Sequence, residues 1–149
     1  MEKGNYKKLG LMLAISFCIM YAVMFLNVDS IDHIYFSLTR TYMSLLMVTP
    51  MAVLMLIMMP KMYMDKKANR VILFSSAAVF IASLFCLRTQ TFVSDSQYIK
   101  AMIPHHSSAI LTSKHAGIKD PGVKVLSENI IASQEKEIAE MKKMLRQPK

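Results

Sequence analysis

The 149-residue chain has no tryptophan, and its two cysteines, Cys18 and Cys86, both lie in long apolar runs. No cysteine follows Cys86, so the C-terminal part is not a disulfide-stapled module. Neither thiol sits where a soluble nucleophile would be useful, and both read as apolar filler. The His-Glu-x-x-His signature of zinc proteases is missing, as is any convincing nucleophile with an adjacent base. No enzyme is expected. Acidic residues are scarce, 10 against 18 lysines and arginines, giving a net charge of +8.

What the chain does have is apolar length. It is 54% hydrophobic, high for a soluble domain of this size. Leu9 to Leu26, Tyr42 to Met59 and Val71 to Leu87 are uncharged apolar windows, each about 17 or 18 residues long and near the short end of a bilayer-spanning helix. The first window exceeds a usual signal-peptide core, and no small-residue cleavage site follows it, so an uncleaved anchor is expected.

The cations then set orientation. Lys3, Lys7 and Lys8 precede the first window, and Lys61, Lys66, Lys67 and Arg70 fall between the second and third. The intervening connection, "NVDSIDHIYFSLTR", has only Arg40, together with Asp29 and Asp32. The positive-inside rule places the N-terminus in the cytoplasm and residues after Ser94 outside. Those seven cations less Glu2 and Asp65 account for +5 of the +8. Basicity therefore encodes topology, and nucleic acid is not an expected partner.

The expected fold is all-α. A membrane domain over residues 1–90 carries three transmembrane helices at about 9–26, 42–59 and 71–87. An extracytoplasmic helical hairpin follows over residues 94–149. Ser94 with Gln97 fits a capping box opening the first hairpin helix, which runs toward Ala116 with Gly117 as its stop. Pro104 lies inside it and predicts a kink near residues 100–104. Asp120 and Pro121 open the second helix. Its face runs through Val123, Leu126, Ile130, Gln134, Ile138, Met141 and Leu145. Two helices alone bury little apolar surface, so a second copy would complete a four-helix bundle as a homodimer. Packing on the chain's own membrane helices or on another protein is the alternative.

The stretch "MIPHHSSAI", Met102 to Ile110, carries the candidate chemistry. Met102 shares a helix face with His105 and His106, at i+3 and i+4, while the two histidines point about 100° apart. Thioether and imidazole together suit a soft cation such as Cu(I), with zinc possible through imidazole alone. Folding the hairpin would bring Met141 and Met144 toward the same end. The candidate metal residues are therefore Met102, His105, His106, Met141 and Met144. Against this stand structural roles: histidines that organise the bundle, and methionines that fill a core. His115 would cap the last carbonyls of its helix, and His33, beside Asp29 and Asp32, is too isolated to assign. In the second apolar window Met43, Met47, Met51 and Met55 recur every four residues, continuing through Met58 or Met59 to Met62. That stripe reads either as apolar filler or as a Cu(I) relay of a transporter accessory.

The runs "DSQYIKAMIPHHSSAIL" and "DPGVKVLSENIIASQEKEIAEM" resemble the DUF305 family over roughly Asp95 to Leu145, and the apolar region before them looks like the membrane part of multi-pass members. That resemblance implies a ferritin-like helical module and, as in some members, extracytoplasmic copper binding linked to copper resistance. It implicates Met102, His105 and His106, with Met141 as a further ligand; Gln134 and Glu137 also match second-helix positions. Family copies often carry methionines where this chain has Ile99 and Ser108. A ferritin-like oxidase is not implied, because the outer segment has no Glu-x-x-His. The expectation is a plasma (inner) membrane protein, multi-pass, with a periplasmic or extracellular module that binds Cu(I) for buffering, resistance or delivery. The competing expectation is a metal-independent interaction or assembly module of a membrane complex.

Overall fold

The computed structural model describes residues 2–147. Among these residues it is all-helical. The elements are α1 (Glu2–Val23), a 3-10 turn (Ile31–His33), α2 (Leu38–Met58), α3 (Lys66–Thr89), α4 (Asp95–His115) and α5 (Pro121–Arg146). Three stretches, Gly4–Val23, Leu38–Met58 and Lys66–Thr89, are long and apolar enough to cross a membrane. The chain divides into two compact units, one made of α1 with residues 39–92, the other of Met24–Leu38 with the residues from Val93 on.

In the first unit, the polar connection between α2 and α3 is tied to the start of α1. Asp65 caps α3 by accepting the N–H groups of Lys67 and Ala68 at 2.8 and 3.1 Å. Tyr6 Oη donates to Asn69 Oδ1 at 2.8 Å and accepts the Asp65 N–H at 3.1 Å. At the opposite end Tyr42 Oη donates to the Thr91 carbonyl at 2.8 Å. Gln90 closes α3 in the left-handed region, φ 52°. The buried side chains of α2 and α3 include Ser44, Thr49, Ser76 and Ser83, the small residues that let membrane helices approach closely. Thr49 donates its hydroxyl to the Leu45 carbonyl at 2.9 Å, next to Pro50, which lacks an N–H to give. Of the methionine stripe, Met43 and Met47 are exposed and Met51 and Met55 are half-buried.

The second unit holds the hairpin. Ile103 and Ile110, seven residues apart on α4, meet Ile138 of α5 in a buried cluster, flanked by Tyr35, Ile99, Ile131, Met141 and Leu145. Burying each isoleucine stabilises the fold by roughly 1.5–3 kcal/mol. Asp120 caps α5, accepting the Val123 N–H at 2.9 Å, with Pro121 in the first turn, as the sequence predicts.

α4 is one helix with the fully buried Pro104 inside it, as the sequence predicts. Other local expectations change. Gly117 is not in a left-handed cap; α4 ends at His115 with Ala116 extended at φ −68°, ψ 132°. Ser94 accepts the Gln97 N–H at 3.4 Å, but the Gln97 carboxamide, instead of returning to Ser94, accepts the Leu38 N–H at 3.0 Å. The first apolar window also overruns its helix. α1 stops at Val23, and Phe25 packs edge-on against Phe36 within the following segment, centroids 6.1 Å apart.

The last two differences share a cause. Residues 24–38 are not a free connection: they lie on the hairpin, with Tyr35 against the isoleucine cluster. The hairpin is thus more than two helices, because the chain's own segment supplies a third layer.

Candidate functional site

α4 presents its motif on two faces. Met102, Ile103, His106, Ser107 and Ile110 fall at three- and four-residue steps, and from Ile103 onward these side chains are buried. His105, about 100° round from His106, is exposed. The two imidazoles meet edge to face, centroids 5.9 Å apart and planes at 65°.

His106 is held at both nitrogens. Nδ1 lies 2.9 Å from the Met102 carbonyl oxygen and Nε2 lies 2.7 Å from Glu137 Oε2 on α5. A carbonyl oxygen only accepts, so Nδ1 carries a hydrogen. The Glu137 carboxylate meets the other nitrogen across the hairpin. Glu137 is half exposed, so this pair stabilises the hairpin modestly and mainly sets its register. With His106 level with Glu137, one turn back on α4 and one turn on along α5 would bring Met102 and Met141 to the same level. Of the sequence-predicted residues, His106 meets α5 through Glu137 and Met141 packs on the isoleucine cluster; Met102 is half-buried one turn before His106, and His105 and Met144 are exposed. Among the described residues, no three His, Cys, Asp or Glu side chains form a group able to hold a metal ion. Any site here depends on its thioethers.

The two serines after the histidines do something the sequence does not announce. Ser107 Oγ, fully buried, accepts the Asp29 N–H at 2.7 Å and lies 2.9 Å from His33 Nδ1. Ser108 Oγ accepts from the Asn27 amide at 2.8 Å. Two ion pairs flank these bonds. Lys114 of α4 reaches Asp29 Oδ2 at 3.0 Å and Glu135 at 3.5 Å; Lys142 of α5 meets Asp32. Bonds from Lys142 and Ser30 hold the Asp32 carboxyl down to about 2. Burial, and then the Lys142 ammonium, pushes His33 below its ordinary 6.5, against the pull of Asp32 and Asp29. The Asp29 hydrogen bond raises Lys114.

His33, Asp29, Asp32 and the serines were thus the residues sequence reasoning passed over. The available signal was an unusually polar, charged run between two apolar windows, with lysines placed to match its acids. A serine beside a histidine and an aspartate invites comparison with hydrolase triads. Here the serine is fully buried and Asp32 stands 3.7 Å from the imidazole, so the arrangement orients a segment of chain.

Residues 77–147 match the domain of unknown function DUF305. A protein of Acanthamoeba polyphaga mimivirus, "Uncharacterized protein L153", is 40% identical over 144 residues, spanning 95% of this chain and 93% of the viral one. The chain belongs to the family of that viral protein and carries a DUF305 domain. The DUF305 match begins inside α3, upstream of Asp95, and includes the whole hairpin, but not the segment that lies on it. The similarity to the viral relative spans both the membrane-type helices and the DUF305 hairpin of this chain. No solved structure matches the chain.

Proposed function

We propose that the protein is a multi-pass plasma-membrane protein whose DUF305 hairpin, on the extracytoplasmic side, binds Cu(I) or a similar soft metal for buffering, resistance or delivery. The observation that carries this reading is the His106–Glu137 bond beside the His105–His106 pair; one helical turn from it, Met102 on α4 and Met141 on α5 would stand at a common level. Two thioethers and imidazole are the donors a soft monovalent ion takes. His106 also has its Nδ1 hydrogen on a backbone carbonyl, the support that fixes the tautomer of metal-ligating histidines. Glu137 holds Nε2 in this structure, so uptake through His106 exchanges that carboxylate for the ion. The cation distribution around the apolar helices supports the orientation, with the N-terminus cytoplasmic.

Titrating the full-length protein in lipid nanodiscs with Cu(I) against a competing chelator tests the reading. Wild type should hold the ion, while Met102→Leu and the paired His105→Ala/His106→Ala variants lose it. Equal weak affinity in all three ends the metal hypothesis.

A second reading, a metal-independent assembly module, is favoured by the same histidine: both nitrogens of His106 already have protein partners. Val123, Val125 and Leu126 at the start of α5 are exposed, which supports pairing with a second copy into a larger, ferritin-like bundle. Light scattering with and without chelator separates the two, because this reading requires a dimer that is indifferent to metal.

A further inference from the structure

We propose that Met24–Leu38 is a clasp on the hairpin, and that it opens when His33 takes up a proton. Ser107 Oγ receives the Asp29 N–H at 2.7 Å and lies 2.9 Å from His33 Nδ1, a ring nitrogen that takes either role with its tautomer. We assign the neutral tautomer with its hydrogen on Nε2, toward Asp32 Oδ1 at 3.7 Å, because it lets the fully buried Ser107 hydroxyl donate to Nδ1. A proton added at Nδ1 turns that acceptor into a donor and removes the destination of the buried Ser107 hydrogen.

The surroundings give the cation little in return. His33 is faced by Asp29 and Asp32 from its own segment, Lys114 from α4 and Lys142 from α5. Each acid is already paired with one of those lysines. The imidazole, 13% exposed, would become a third cation in a neutralised and partly dry cage. The sign follows. A histidine whose value is lower in the closed state binds more protons when the clasp is open. Closure is fully favoured above the ordinary value of 6.5 and weakens as pH falls through the window below it. Asp32, held to about 2, stays ionised through that window and cannot be the trigger.

The device involves no metal and stands apart from the metal reading. Its test uses the full-length protein in nanodiscs with chelator present. Amide exchange at Asp29, corrected for intrinsic chemistry, is compared at about pH 7.5 and about pH 5, on either side of ordinary histidine titration. Wild type should exchange several-fold faster at the lower pH, with the α4 and α5 core amides unchanged. His33→Asn, which keeps an acceptor near the Nδ1 position and cannot titrate, should lose that acid response. In wild type the opening midpoint should coincide with the His33 ring titration followed by NMR of labelled histidine. Equal wild-type protection at both values, an acid response retained in His33→Asn, or midpoints that differ each overturns the proposal. If His33→Asn is open throughout, the coincidence of midpoints decides alone.

Discussion

Ser107→Ala removes a single oxygen, yet that oxygen serves two groups of the overlying segment, the Asp29 N–H and His33 Nδ1. The site is fully buried on the serine side, so water cannot replace it there. Leaving a shielded donor or acceptor without its partner costs about 1–3 kcal/mol. The two groups share one oxygen and border solvent on their far sides, so about 2 kcal/mol is the working figure for the pair. That corresponds to a roughly thirtyfold rise in the population of the detached segment. Ser108→Ala is the internal control, because its bond to Asn27 is exposed; a loss within about 0.5 kcal/mol, roughly twofold, is expected. Amide exchange of residues 24–38 at neutral pH in nanodiscs reads both. The reasoning is refuted if the two variants loosen the segment equally while the isoleucine cluster keeps its protection.

The remaining expectations concern the core, the register and acid. Ile103→Ala should destabilise the hairpin by about 2–5 kcal/mol through the cavity it leaves, read as the loss of α4 and α5 exchange protection; a loss under about 1 kcal/mol would contradict the cluster's central place. Glu137→Gln keeps the shape but removes the charge at His106 Nε2. The half-exposed pair should then give up less than about 1 kcal/mol in chemical denaturation, and a larger drop would mean that the pair does more than set register. Lowering pH from its ordinary 3.8 toward about 2 protonates Asp32 and removes the stabilisation present above that range. The carboxylate is largely exposed, so the loss is held under about 1 kcal/mol by solvent screening, and Asp32→Asn should abolish this step. Met47→Leu with Met51→Leu should leave the thermal stability of the protein unchanged within about 1 kcal/mol. Vesicle copper flux in that variant distinguishes filler from relay.

The secondary structure was largely legible because it rests on local signals. Apolar windows of membrane length, the Asp120-Pro121 start of α5 and the Ser94 cap act within a few residues of one another. Errors arose where a residue's partner lies far along the chain. Gln97 has the right spacing to return to Ser94, yet Leu38 offers its N–H instead. Leu26 and Phe25 are as apolar as the residues before them, and only the Phe36 contact shows why the helix does not include both. The candidate site divides in the same way. The face shared by Met102 and His106 follows from helical spacing. The pairing of His106 with Glu137 depends on interhelical register, and the roles of Ser107 and Ser108 depend on a segment some eighty positions earlier.

The clasp also constrains the order in which the protein can be completed. Asn27 and Ser108 are 81 positions apart, and Asp32 and Lys142 are 110 apart. A chain emerging from its N-terminus produces Asp29, Asp32 and His33 long before α4 exists, and Lys142 of α5 later still. Contacts of such separation form late, after the cost of closing the intervening chain has been met. Until then the early segment keeps Tyr35 without the isoleucine cluster that receives it and its acids without their lysines. Loss of Lys142 near the end of α5 would therefore be felt at Asp32, in a segment made 110 residues earlier.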